Sequence, residues 1–357
     1  MGRGHKSQAI AAVLGLLSLL GVEDGLAQHT PKWRLKTRLQ AAYEFDSNIR
    51  EAPGDSSNRL RDSSLRFLFR SAASRKTGRA RLSFTYRGGL QTYYRHAVEN
   101  KLINEVEASA SAGVGKIVLA LRASGRLKLY LNDVLDYASG SVAGQVHLPA
   151  TWGFQHRLTV TAAGLNYQNF SAFDYSDVGV SWSISRRITP RLRSSVELIG
   201  KRIAYHRQVL FPEQATSFVE EPQRDHSLGV RVHVGYTRRF WLSFNYRFQQ
   251  NNSNSPDFDY TRHQVTVIFG FPVAPRVWLR GYTAIQVKRY SQKVPQMFPI
   301  DIDTEREESN FLILDLSRDL SPSLTALLRL AFYDNESVIR SRFYRKTLVT
   351  LGVDFRF

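Results

Sequence analysis

Trp33-Arg34-Leu35-Lys36-Thr37-Arg38-Leu39-Gln40-Ala41-Ala42-Tyr43-Glu44-Phe45-Asp46 places Trp33, Leu35, Thr37, Leu39, Ala41, Tyr43 and Phe45 at odd positions and Arg34, Lys36, Arg38, Gln40, Glu44 and Asp46 at even ones. Successive side chains of a strand point to opposite faces, so a period of two predicts a ribbon with one apolar and one charged face. Strands of soluble domains usually end after about 5–6 residues. This one does not, and the pattern recurs. In 79–95, Leu82, Phe84, Tyr86, Leu90 and Tyr94 oppose Arg79, Arg81, Ser83, Thr85, Arg87, Gln91 and Arg95. Segments 117–132, 192–206, 226–237, 240–251, 276–290, 323–335 and 343–357 keep the same parity.

Strands long enough to cross hydrocarbon, about 9–11 tilted residues, must pair every backbone polar group, which for strands requires a closed barrel. The connections alternate short and long. Short ones fall at 74–78, 113–116, 149–153, 188–190, 238–239, 272–275 and 320–322, and long ones at 48–62, 96–101, 133–139, 168–174, 206–224, 252–259, 291–308 and 335–342. The sequence therefore predicts an all-β, transmembrane, up-and-down antiparallel barrel of about sixteen strands, with fourteen to eighteen open. The weakest stretches are 138–148, diluted by Gly and Ser, and 303–312, crowded with acids. Helical spans are excluded by a mean hydropathy of -0.30 and a single apolar run, Ala9 to Val22. That run follows Arg3, His5 and Lys6 and precedes Gly25-Leu26-Ala27, the layout of a secretory signal peptide over 1–27, which leaves a barrel over 28–357. Export and the absence of cysteine point to a fold held by neither disulfide nor thiolate metal site.

The chain ends Val349, Leu351, Val353, Phe355, Phe357 at alternate positions. This resembles the C-terminal signal read by the barrel insertion machinery of outer membranes, so Leu351, Val353, Phe355 and Phe357 are expected to be a membrane-insertion signal. Together with the signal peptide it implies the outer membrane of a Gram-negative bacterium, with lipid and lipopolysaccharide as neighbours.

A net charge of +18 then needs a location. Parity sends most cations inward, and Arg38, Arg66, Arg81, Arg87, Arg126, Arg231, Arg247, Arg280 and Arg329 are the expected pore-lining residues. Inward acids are fewer: Glu44, Asp46, Glu105, Glu107, Glu197, Asp315 and Asp354. Arginine forks suit carboxylates, phosphates and sulfates, so an anion-preferring pathway follows. The alternatives are a structural network of these cations with the internal acids, or contact with lipopolysaccharide phosphates near the ends. Tyr93, Tyr130, Trp241, Trp278, Tyr282, Tyr290 and Tyr333 on the inward parity add a sugar-stacking track for an acidic polysaccharide as a variant.

Tyr43-Glu44-Phe45-Asp46-Ser47-Asn48-Ile49-Arg50 resembles the first strand of outer-membrane porins found with exopolysaccharide operons. The resemblance implies a porin-like barrel, with an auxiliary role in surface polysaccharide export or surface assembly as the second reading. Asp46 and Asn48 also suit an Asx turn that closes a strand into a loop.

The rival class is a barrel-embedded hydrolase. Its nearest candidate is Asp225-His226-Ser227, but neighbours on a strand face opposite ways and cannot easily share a proton. No catalytic residue and no cofactor is expected. Asp301, Asp303, Glu305, Glu307 and Glu308 could hold calcium loosely, a solvated loop being the plainer reading. The basic residues alternate with apolar ones rather than forming a nucleic-acid-binding patch. A homo-oligomer stays open.

Overall fold

The computed structural model describes residues 33–51, 59–131, 136–210, 218–255, 258–291, 310–335 and 344–357. The expected signal peptide, the acidic group Asp301 to Glu308 and parts of the longest loops lie outside them. Sixteen strands run β1 Arg34–Asp46, β2 Asp62–Thr77, β3 Ala80–Tyr93, β4 Lys101–Val114, β5 Ile117–Tyr130, β6 Tyr137–His147, β7 Phe154–Tyr167 and β8 Tyr175–Arg187, then β9 Leu192–Leu210, β10 Phe218–Thr237, β11 Trp241–Ser253, β12 Tyr260–Ala274, β13 Val277–Tyr290, β14 Asn310–Asp319, β15 Leu324–Asn335 and β16 Tyr344–Arg356. Each pairs with its chain neighbour, and β1 pairs antiparallel with β16, closing the barrel.

One rim carries the short turns. Gly78 and Gly115 begin two of them with φ of 56° and 59°, a left-handed conformation that glycine takes without a Cβ clash. The other rim carries the long connections. There the inward face is pinned by a repeated device, in which the residue leading into a strand accepts the N–H that ends the preceding one. Asn100 does so for Tyr93, Asp136 for Tyr130, Asp174 for Tyr167 and Asp259 for Ser253, at 2.5–2.7 Å.

The barrel is polar inside and apolar outside. Gln40, Glu44, Asp46, Ser64, Lys128, Asp177, Asp225 and Asp354 are buried, while Leu35, Phe67, Val142, Val180, Leu228, Ile285, Leu316 and Leu351 are exposed. On β10 the outward residues Leu228, Val230, Val232, Val234 and Tyr236 form an unbroken apolar stripe. At about 3.3 Å per residue and a tilt of about 40°, that stripe is about 20 Å tall, close to the apolar band of a membrane barrel.

One sequence expectation changes, and one weak stretch is resolved. The loop expected at 206–224 is largely strand: β9 runs to Leu210 and β10 starts at Phe218, with register shifts between Val219 and Pro222 and between Pro222 and Arg224. Above the apolar stripe polar and apolar residues come in runs, Arg207-Gln208 before Val209-Leu210 and Phe218-Val219 before Glu220-Glu221, so the alternation that marks a strand in sequence disappears while the backbone ladder continues. The dilute stretch 138–148 forms β6, because its backbone pairs on both sides with β5 and β7 whatever its side chains.

At the closing seam Gly352 of β16 sits opposite Ala42 of β1. A Cβ there would lie 2.7 Å from the Cβ of Ala42 and 2.8 Å from the carbonyl oxygen of Ala41. Gly352→Ala is therefore expected to cost about 1–3 kcal/mol, read as a lower urea midpoint of the folded barrel. An unchanged midpoint would show that the seam is not tightly packed.

Candidate functional site

The strand registers put all nine sequence-selected arginines on the inward face. At least six of them meet acids. Arg38 grips Asp354 with two nitrogens, and Arg66 donates to Glu44 at 2.6 Å. Arg87 and Arg126 share Glu105 at 3.2 and 2.6 Å. Arg231 meets Glu197 at 3.0 Å, and Arg329 forks onto Asp315 at 2.6 and 2.8 Å. Arg280 donates to Ser317 at 3.2 Å. Arg81 makes no ion pair among the described residues, and Arg247 stands directly opposite Arg231. The inward wall is therefore a network, and most of its acids lie on the inward parity expected from sequence. Sequence reasoning missed Asp177, which pairs with Lys201 at 2.9 Å, and Asp319, which pairs with Arg356 at 3.3 Å.

The network does not neutralise every stretch. Across four adjacent strands Arg356, Arg38, Arg70 and Arg87 are directly opposite one another. Like charges so placed destabilise a sheet. Arg70, in the middle of the row, has no acid partner among the described residues. A cavity of about 530 Å³ opens over this wall and takes in Arg38, Arg66, Arg70 and Arg87, with Glu44 and Glu105 beside them. Another direct arginine pair, Arg231 and Arg247, belongs to a cavity of about 620 Å³ that also holds Arg262, with Glu197 reaching Arg231 from beside it at 3.0 Å. In the closed order β2 and β3 stand eight strands from β10 and β11, on opposite walls. Their heights match as well. Arg70 and Arg87 are seven residues from the short-turn ends of their strands, at Thr77 and Ala80. Arg231 and Arg247 are six residues from theirs, at Thr237 and Trp241.

The aromatic residues proposed as a sugar track are placed otherwise. Tyr93 and Tyr130 are buried and bracket the Lys101 ammonium, 5.9 and 6.0 Å from the ring centres, and Lys128 lies 4.7 Å over Tyr130. Lys288 covers Tyr260 and Tyr290, while Tyr282 packs edge-on against Phe311, which packs in turn against Tyr333. The Trp241 ring lies across Gly270. The rings of Tyr93, Tyr130 and Tyr290 are therefore covered, whereas Trp278 and Tyr282 stay 38% and 40% exposed on the inward parity.

The Tyr43–Arg50 motif lies at the seam. Asp46 accepts the Asn48 N–H at 2.9 Å, the Asx turn expected from sequence, and it also meets Lys346 of β16 at 2.9 Å. The Asn48 amide donates to the Arg345 carbonyl, the Thr347 N–H donates to Ser47 Oγ, and Tyr43 Oη donates to Ser63 Oγ. Leu351, Val353 and Phe355 stand on the outward face of β16 between β15 and β1, and Phe357 joins Thr37 through both backbone bonds. Within Asp225-His226-Ser227 the imidazole is exposed outward, while Asp225 and Ser227 are buried on the inward side. Among the described residues no group of His, Asp and Glu could hold a metal ion.

No family model matches the chain, and no curated protein matches it. Solved structures do. An anion-selective porin from Comamonas acidovorans aligns over 91% of this chain and 99% of its own, with a TM-score of 0.51 at 9% identity. OccK5 (OpdH) of Pseudomonas aeruginosa aligns over 93% and 100% with a TM-score of 0.43 at 10% identity. A bacterial polysaccharide outer-membrane secretin aligns over 90% and 98% with a TM-score of 0.44 at 9% identity. At such identities the first of these likenesses is one of fold: a closed, transmembrane antiparallel β-barrel.

Proposed function

We propose that the chain is a porin-like channel of a Gram-negative outer membrane whose positive lumen passes small anions or acidic saccharides. One observation carries the reading: arginines stand directly opposite arginines on two facing walls at one height, an arrangement that sheet stability disfavours and that a passing anion relieves. The neighbouring acids hold the flanking guanidinium groups in place, and Arg70 is left to the solute. Fork geometry suits carboxylate, phosphate and sulfate groups. Leu351, Val353, Phe355 and Phe357 serve as the insertion signal. An auxiliary part in polysaccharide export is the weaker reading, because the motif behind it closes the seam and lysines cover Tyr93, Tyr130 and Tyr290, three of the rings that would stack sugars.

Single-channel recording of the refolded barrel under a salt gradient tests the proposal. The reversal potential is expected to favour chloride over potassium. Arg70→Gln with Arg247→Gln should cut that preference severalfold while the barrel still inserts, since each substitution removes one mid-height positive charge. A cation-selective or non-conducting wild type would overturn the channel reading. An unchanged preference in the double variant would remove these arginines from it.

A further inference from the structure

Most outward-facing positions are apolar, yet one sector of the long-loop rim is basic. On β9 and β10 the outward residues above the apolar stripe are Arg202, Arg224 and His226, with Arg202 directly opposite His226 and Arg224 opposite Ala204. On β11 Asn252 is opposite His226, and on β13 Arg289 ends the outward stripe of Ile285 and Val287. All of these side chains but Asn252's are charged or titratable, all are exposed, and no ion pair joins Arg202, Arg224 or Arg289 to an acid among the described residues. The outward rim over β3–β8 offers Leu102, Leu129 and Ala138 at the same end.

A cation on the hydrocarbon face costs about 2–4 kcal/mol at the midplane and about 0–1 near the interface. The register puts this group just above the stripe that ends at Leu228, where headgroups begin. Neither Arg202 nor Arg224 meets an acid among the described residues, so this sector shows an uncompensated positive charge there. β9 and β10 are also the longest strands, 19 and 20 residues. They carry the outward wall well past the apolar stripe, giving a bulky headgroup a flank to lie against, and Asn252 and Gln250 offer amides beside it.

We infer that this sector binds the phosphorylated saccharide headgroup of an outer-leaflet glycolipid, with Arg202 and Arg224 on its phosphates. The inference rests on the outer-membrane part of the proposed function and is independent of what the lumen passes. The full-length barrel in detergent micelles would be titrated with rough lipopolysaccharide, with the same glycolipid after phosphatase treatment, with phosphatidylglycerol and with inorganic phosphate, and bound lipid counted by native mass spectrometry. Rough lipopolysaccharide is expected to bind tightest. Arg202→Ser with Arg224→Ser should weaken it by about fivefold per arginine, so about twenty-five-fold together. Arg75→Ser with Arg318→Ser, outward cations of the short-turn rim, should leave it unchanged. Equal binding of the phosphatase-treated glycolipid, an equal response to phosphatidylglycerol or free phosphate, or equal losses in the two double variants would overturn the site. Conductance of Arg202→Ser with Arg224→Ser should match wild type, so loss of lipid binding with an intact channel, or the reverse, separates the two readings.

Discussion

Replacing Lys346 by methionine is expected to remove about 3–5 kcal/mol of stability, the usual cost of stripping one partner from a buried ion pair. Lys346 is 5% exposed and Asp46 1%. The ammonium meets Asp46 at 2.9 Å and Glu51 at 3.4 Å, across the junction where the last strand meets the first. Removing the cation leaves a carboxylate in the wall with only the Asn48 N–H and a long contact from Tyr93 Oη at 3.5 Å. Urea unfolding followed by heat-modifiable gel migration would read the loss. The double variant Lys346→Met with Asp46→Leu should recover part of it, because an apolar pair needs no desolvated charge, while the buried Asn48 N–H loses its acceptor. A single variant as stable as wild type would mean that water reaches the seam and the pair contributes little.

Leu328→Arg and Arg329→Leu, one residue apart on β15, should have opposite consequences. Leu328 faces outward between Leu316 and Leu351, whereas Arg329 faces inward between Asp315 and Thr350. An arginine placed on the lipid face near the middle of the strand costs about 2–4 kcal/mol and should sharply reduce the fraction of barrel that inserts into vesicles. Arg329→Leu leaves Asp315 without its fork, yet that carboxylate still faces a wet lumen and Arg280 stands directly opposite it. Insertion should survive, with a stability loss of about 1–3 kcal/mol. Equal tolerance of both substitutions in a vesicle-insertion assay would show that the two faces have been exchanged.

The parity of Leu328 and Arg329 could be read without coordinates, as could that of Tyr43 and Glu44 or Leu82 and Arg81. Side-chain direction in a strand depends only on position along it, and a membrane barrel imposes opposite chemistry on its two faces. The strand number followed from the same rule, and the doubtful stretch 138–148 was settled by its neighbours, since ladder pairing ignores side-chain character. The rule failed above the lipid belt. At 206–224 polar and apolar residues fall in runs instead of alternating and the register shifts twice, so a long paired extension reads as loop. The tyrosines misled for a related reason: parity gives the face of Tyr93 and Tyr130 but not whether Lys101 and Lys128 already cover their rings.

The sequence alone determined the up-and-down barrel, its faces, the inward turn of its charge and the Asx turn at Asp46, because each depends on period two or on residues close in the chain. Only the tertiary structure decided which inward arginine meets which acid, that Arg70 is left over, that Arg70 and Arg87 face Arg231 and Arg247 across the lumen, and that Lys346 closes on Asp46 three hundred positions away. Those facts depend on inter-strand register and on closure. Both are set by backbone pairing between segments distant in sequence, and alternation within one strand carries no record of either.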